Sequence, residues 1–299
     1  MSESYKKILL VILTGIAYGS SIVFARYALK EIGPYPITVL RFGIASTAFL
    51  ITFFILKKRI PSENRVLRDM TIVGVVGTGL PLLLFYFSLS YMSSGIFTVF
   101  LATLPIFTAV LAHLFLKSEK IHRNLLVGLI IALAGVVILI ATRSNGLVNE
   151  GFNIKGPVFA LIGVLSASVG VIYTKSHLNK EDVFVISATQ TLAAFIFIAA
   201  VVFIFKKFQV GQVSPMGWFA IFYNGMVGSF IAFWLTFTLI KKYGATASAL
   251  PNYIMPVVST LIGSVFLGEL ITFPLFAGAL MILMGVFFST KKVAEIVHK

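Results

Sequence analysis

The sequence has no cysteine among its 299 residues. That excludes a disulfide framework and any thiolate metal site. Charge is scarce too: Asp, Glu, Lys and Arg make up 11% of the chain, against about a quarter in a soluble globular protein. Acids are the scarcer sign, ten against 24 Lys and Arg. All of them (Glu3, Glu31, Glu63, Asp69, Glu119, Glu150, Glu181, Asp182, Glu269 and Glu295) fall in loops or near the ends of apolar runs. With no carboxylate at mid-membrane depth, a sodium site or proton relay built on such groups is disfavoured. Also missing are paired acids, a His-Glu-x-x-His helix and a Ser/His dyad, so the chain reads as a non-enzyme. No pattern asks for a metal or a cofactor.

What remains is apolar. Hydrophobic residues make up 59% of the chain and mean hydropathy is +1.01, which defines a polytopic membrane protein. A spanning helix needs about 20 mostly apolar residues. Ten runs qualify: 8–28, 35–56, 70–91, 95–116, 123–142, 156–174, 183–205, 216–240, 246–267 and 271–290. The first follows Lys6-Lys7 as a signal peptide would, but it lacks a small-x-small cleavage site and is expected to stay as a helix. The net charge of +14 would suggest nucleic acid on a soluble chain. Here Lys and Arg sit almost wholly between the apolar runs, Arg26 and Arg41 being the exceptions, and there they set topology. With the N-terminus inside, the cytoplasmic loops and tails hold Lys6, Lys7, Lys57, Lys58, Arg59, Arg65, Arg68, Lys117, Lys120, Arg123, Lys175, Lys180, Lys241, Lys242, Lys291, Lys292 and Lys299. The opposite side holds only Lys30, Arg143, Lys155, Lys206 and Lys207. Both termini are therefore expected in the cytoplasm.

The runs repeat. Ile37 to Ala45 aligns with Ile186 to Ala194, and Arg26, Phe24 and Gly79 meet Lys175, Tyr173 and Gly228, all at an offset of 149. Pro105 meets Pro256 at 151, while Glu119, Gly128 and Gly135 meet Glu269, Gly278 and Gly285 at 150. The ordered Pro–Glu–Gly–Gly series is hard to obtain by chance, and small drifts in offset are what loop insertions produce. The expected fold is an all-α membrane protein of ten transmembrane helices. Residues 1–142 form one five-helix unit, 143–155 an extracytoplasmic linker, and 156–299 the second unit. Five is odd, so the second copy enters from the opposite face and the two are inverted. Transporters use this plan, with a site between the repeats near mid-bilayer.

Several of these features resemble one family. Ala17-Tyr-Gly-Ser20 in the first run and Leu40-Arg41-Phe42 in the second are similar to EamA-type transporters of the drug/metabolite transporter superfamily. So are the proline-broken ninth run closed by Gly268-Glu269 and the Gly278/Gly285 pair that follows. The resemblance covers about residues 8 to 290. It implies a ten-helix inverted-repeat carrier of small metabolites, with amino acid export the leading activity. Tyr18 departs from it, where members often carry Trp, as does Lys117-Ser118-Glu119 in place of Gly-Glu. Export of drugs or nucleotide sugars is the alternative, and a non-transporting membrane scaffold a further one. The expected partners are a small-molecule substrate and the bilayer, not nucleic acid, with the chain a monomer or homodimer.

Polar groups at membrane depth are the candidates for binding. Asn252 lies one turn before Pro256, either to bind substrate or to satisfy carbonyls that the proline frees. Pro105 and Pro256 are the candidate hinges, because a proline inside a helix removes a hydrogen bond and crowds the preceding turn. Tyr18, Ser20 and Ser21 make a polar step on the first run, repeated by Ser166, Ser168 and Tyr173 on the sixth. Small hydroxyls equally serve close helix packing. Tyr223 and Asn224, Tyr86, Thr98 and Trp234 complete the binding set, although interfacial aromatics are common in membrane helices. The cavity is expected among the first, third, fourth, sixth, eighth and ninth runs. Arg41 sits about 9 Å into the second run at 1.5 Å per residue, with Gln190 in the matching place. Either Arg41 pairs with Glu31 or caps carbonyls, stabilising the outer end, or it attracts or gates anionic groups. Glu119 and Glu269 close the two broken runs. His113 near the end of its run reads better as an interfacial histidine than as a proton carrier.

Overall fold

In lipid, every backbone N–H and C=O of a spanning segment needs an internal partner, and an α-helix supplies them all. The computed structural model describes residues 3–58, 61, 63–115, 123–143, 145–148, 151–178, 180–249 and 251–297, and these contain helices and no strand. In order they form α1 (Glu3–Ile32), α2 (Pro34–Ile55), α3 (Asn64–Ile72), π1 (Val73–Gly79), α4 (Leu80–Leu89), α5 (Ser94–Leu101) and α6 (Leu104–Phe115). Next come α7 (Arg123–Ala141), α8 (Lys155–His177), α9 (Val183–Ile204), α10 (Pro215–Gly225), π2 (Met226–Ile231), α11 (Ala232–Ala249), α12 (Pro251–Leu267) and α13 (Phe273–Val297). Here π1 and π2 are π-helical turns set between α-helices.

Among the described residues, seven helical stretches are long and apolar enough to cross a membrane: 6–32, 34–55, 64–89, 94–115, 155–177, 183–204 and 215–236. Three shorter apolar helices, 126–141, 254–267 and 273–285, fall on the remaining runs. Large apolar side chains cover the outside, among them Phe203 (84% exposed) and Phe273 (81%). In water such a surface would aggregate; in lipid it is what a spanning helix presents.

Boundaries differ from expectation in two places. The loop expected at 241–245 is helical, because α11 continues to Ala249. Residues 241–245 include Lys241 and Lys242 but only one glycine and no proline, so nothing breaks the helix there. The two expected hinges also differ. The fourth run breaks at Ala102–Thr103, just before Pro105, which lies in the first turn of α6. Pro256 instead lies inside the continuous helix α12.

The halves pack by a reciprocal rule. Gly135 of α7 meets the carbonyl of Gly278 on α13, and Gly285 of α13 meets the carbonyl of Gly128 on α7. Gly128 and Gly278 are matched residues, as are Gly135 and Gly285, so each contact is the copy of the other. Matched helices α7 and α13 therefore run antiparallel. The pair α2 and α9 does the same, with Gly43 against Phe195 and Phe49 against Phe184 at 5.6 Å between ring centroids. Two crossings are near-copies of one another. A Cβ on Gly170 of α8 would overlap the Gly77 backbone in π1, and a Cβ on Gly228 of π2 would overlap Ser21 of α1. Ser21 and Gly170 are matched residues, whereas Gly228 matches Gly79, two residues beyond Gly77. Small residues at these points let backbones touch, which is how helices associate where the hydrophobic effect between them is absent.

Candidate functional site

The two π turns set the seam between the halves. A π turn shifts the backbone register and leaves carbonyls free for other donors, often at functional sites. In π1 the Val76 carbonyl accepts from Ser166 Oγ of α8 at 2.7 Å. In π2 the Gly228 carbonyl accepts from Arg41 Nη2 of α2 at 2.8 Å. Arg41 also donates from Nε to Ser229 Oγ at 2.6 Å and from Nη1 to Tyr86 Oη at 2.9 Å. The Tyr86 hydroxyl in turn donates to Asn224 Oδ1. Asn224 Nδ2 then donates to Ser21, to the carbonyl at 2.7 Å and to Oγ at 2.9 Å. This chain joins α1, α2 and α4 of the first half to α10 and π2 of the second. Every member is buried, Arg41 at 6% exposure and Asn224 at 0%.

Four expected residues thus meet: Ser21, Arg41, Tyr86 and Asn224. Tyr18 lies beside them with its hydroxyl 3.1 Å from Thr236 Oγ1. Ser20 bonds the Tyr223 hydroxyl at 2.9 Å. The expected pairing of Arg41 with Glu31 does not form; the carbonyl capping does. The second run, left out of the expected cavity helices, supplies the charge. Ser229 was missed altogether, because π2 that presents it has no signature in the sequence.

The other candidates lie elsewhere. Thr98 and Ser259 share a hydrogen bond of 2.6 Å between α5 and α12. Ser168 accepts from Thr108 at 3.2 Å beside the break before Pro105. Tyr173 donates to Asp69 Oδ1 at 3.0 Å near the α3 end of its span. Asn252 and Gln190 are partly exposed and their side chains bond to nothing among the described residues. Trp234 is 49% exposed and packs edge-on against Phe230. It lines a groove of about 180 Å³ with Leu56, Lys58, Asp182, Val183, Phe184 and Thr238. Glu119 lies outside the described residues. His113 is partly exposed near the end of α6.

The two ends of the bundle are tied differently. At one end the Glu269 carboxylate accepts from Ser94 N, at 2.9 and 3.0 Å, and from Ser94 Oγ, so it caps α5 from the loop after α12. Burial pushes this carboxyl above its ordinary range, outweighing those donors. The linker docks at the same end: Ser93 N donates to the Asn145 carbonyl and Leu270 N to the Gly146 carbonyl. Glu31, at the end of α1, caps α10 through Ser214 N at 2.9 Å and Ser214 Oγ at 2.7 Å. Arg26 is 5% exposed, with Nη1 donating to the Ser90 carbonyl. At the other end Lys58 and Asp182 pair at 2.6 Å. Burial raises the Asp182 carboxyl, but Lys58 and the Phe184 and Val185 amides overcome this and hold it below the usual range.

A helical membrane protein of two matched halves, joined by a buried polar seam and clasped differently at its two ends, is built as a membrane transporter is built. The chain belongs to the EamA-like transporter family, which it matches twice, at residues 5–141 and 154–291. An "Uncharacterized transporter" of Archaeoglobus fulgidus is 27% identical over 291 residues, covering 96% of this chain and 99% of that one. The transporter YoaV of Bacillus subtilis is 22% identical, covering 95% and 97%. YedA of Escherichia coli K12, described as an inner membrane transporter, is 28% identical, covering 85% and 80%. A solved crystal structure shares the fold with a TM-score of 0.69 at 19% identity, covering 99% of both chains.

Proposed function

We propose that the protein is a carrier that moves small metabolites across the cytoplasmic membrane by alternating access. Amino acids and related compounds come first, and export is the favoured direction. The ten helical stretches act as spans, in two inverted units, with both termini in the cytoplasm. What most supports this reading is the reciprocal contact of Gly128 with Gly285 and Gly135 with Gly278. Matched helices that run antiparallel are related by an axis across the bundle, which lies in the membrane plane once the helices span it. An inverted pair of units can exchange shapes, and the exchange moves the opening from one face to the other.

In this orientation the Glu31 and Glu269 clasps lie outside, and the groove beside Lys58, Asp182 and Trp234 opens near the cytoplasmic ends. The polar seam of Ser21, Arg41, Tyr86 and Asn224, with Tyr18 beside it, is the proposed binding region. Proteoliposomes loaded with a mixture of amino acids are expected to accumulate a radiolabelled member by counterflow. Absence of counterflow for every amino acid and common metabolite tried, with correctly folded protein, rejects the carrier reading in favour of a scaffold.

A further inference from the structure

We propose that Arg41 receives a carboxylate borne by the transported molecule; this rests on the carrier reading and names the chemistry of its site. Arg41 is buried at 6% exposure, and all its partners are neutral: the Ser229 hydroxyl, the Tyr86 hydroxyl and the Gly228 carbonyl. A guanidinium carries five N–H donors and stays charged throughout the accessible pH range. Three are used, so one N–H on Nη1 and one on Nη2 meet no acceptor among the described residues. No carboxylate among the described residues pairs with it, and Glu31, the acid expected to do so, is committed to Ser214.

Buried charges are ordinarily paired, because an unpaired one is costly to desolvate. The missing partner here is an anion, and the two vacant donors lie on adjacent terminal nitrogens, as the fork of a carboxylate oxygen pair requires. The Tyr86 hydroxyl donates to Asn224, so the neutral tyrosine offers Arg41 an acceptor oxygen and not a counter-charge. The matched position in the other half is Gln190, which is neutral. The site therefore supplies one positive charge, matching a monoanionic carboxylate; a phosphate dianion would lack a second cation. Contacts lead from the seam to the groove: Phe230, next to Ser229, packs on Phe49 at 5.0 Å and on the groove residue Trp234 at 5.9 Å.

The test is thermal unfolding of the full-length protein with the L-amino acids, their C-terminal amides, acetate to hexanoate, and inorganic phosphate. At least one carboxylate is expected to raise Tm by about 2 °C or more at saturation, its amide to raise it far less, and Arg41→Gln to abolish the rise. If Arg41→Gln does not fold, Arg41→Lys replaces it; with the charge kept but the fork lost, apparent affinity should fall about tenfold or more. An amide that matches its acid, a rise that survives Arg41→Gln, unchanged affinity in Arg41→Lys, a response to phosphate alone, or no response to any carboxylate overturns the proposal. Counterflow persisting alongside such a result leaves the carrier reading intact, so the two failures are separable.

Discussion

At the residue scale, two buried or half-buried acids bring opposite pH signatures. Glu269 has its folded value raised above the ordinary 4.5. Its contribution to stability is therefore fully present below pH 4.5 and is lost as pH rises through the raised value. Asp182 has its folded value held below the ordinary 3.8, so its contribution is present above pH 3.8 and is lost as pH falls through the lowered value. Subtracting the Tm-against-pH curve of Glu269→Gln from that of the wild type should leave a difference that declines above pH 4.5. The same subtraction for Asp182→Asn should leave one that declines below pH 3.8; equal signs would refute both assignments. Glycine contacts give a third test. A Cβ at Gly170 would overlap the backbone of Gly77, whereas Gly211 has nothing within 4 Å. Gly170→Ala should cost about 2 kcal/mol by overpacking, read as a Tm lower by about 5 °C, with Gly211→Ala unchanged. A neutral Gly170→Ala would mean that the halves do not touch at that crossing.

At the scale of the element, the two prolines behave unequally, and that inequality is testable. Pro105 lies in the first turn of α6, after a break at Ala102–Thr103, whereas Pro256 is contained within α12. A break is a place where the helix bends at little cost, so Pro105→Ala, which lets α5 and α6 fuse, should stiffen the unit. Tm is expected to hold or rise while counterflow drops about tenfold; an undiminished rate with intact folding would show that the break is no hinge. Which parts of the sequence revealed such elements follows from their physics. Long apolar runs and Gly128, Gly135, Gly278 and Gly285 were legible, because a spanning helix and a close crossing each demand a residue type at a fixed spacing. Two hydroxyls and an amide of the seam, Ser21, Tyr86 and Asn224, were legible as polar groups at depth. Less legible was what joins them. A π turn needs only one residue more than its neighbours, and nothing in Val73–Gly79 or Met226–Ile231 marks that. Nor does spacing tell that Glu31 caps α10 or that Glu269 caps α5, since such bonds link residues more than 170 positions apart.

For the whole molecule, the question is whether two arrangements of the same halves exist. The structure holds one of them, with two carboxylates clasping helix starts at one end: Glu31 on α10 and Glu269 on α5. Both clasps tie elements of one half to elements of the other, so the end they close opens only if the halves move apart there. The absence of native cysteine makes this directly testable, because any introduced pair reports alone. Replacing Glu31 and Ser214 with cysteines puts one thiol on each side of this clasp, where carboxylate and hydroxyl now stand 2.7 Å apart. A cysteine side chain is two bonds shorter than a glutamate, so a short bis-thiosulfonate reagent, which joins the thiols through reducible disulfides, bridges the gap and should hold that end shut. In proteoliposomes the cross-linked double variant is expected to lose counterflow, and a reductant to restore it, while each single variant transports under both conditions. Loss that reduction does not reverse, matched by the single variants, would trace to the missing Glu31 cap instead of to a locked end. Full transport by protein shown to be cross-linked would mean that this end never opens, and alternating access between the two halves would have to be abandoned.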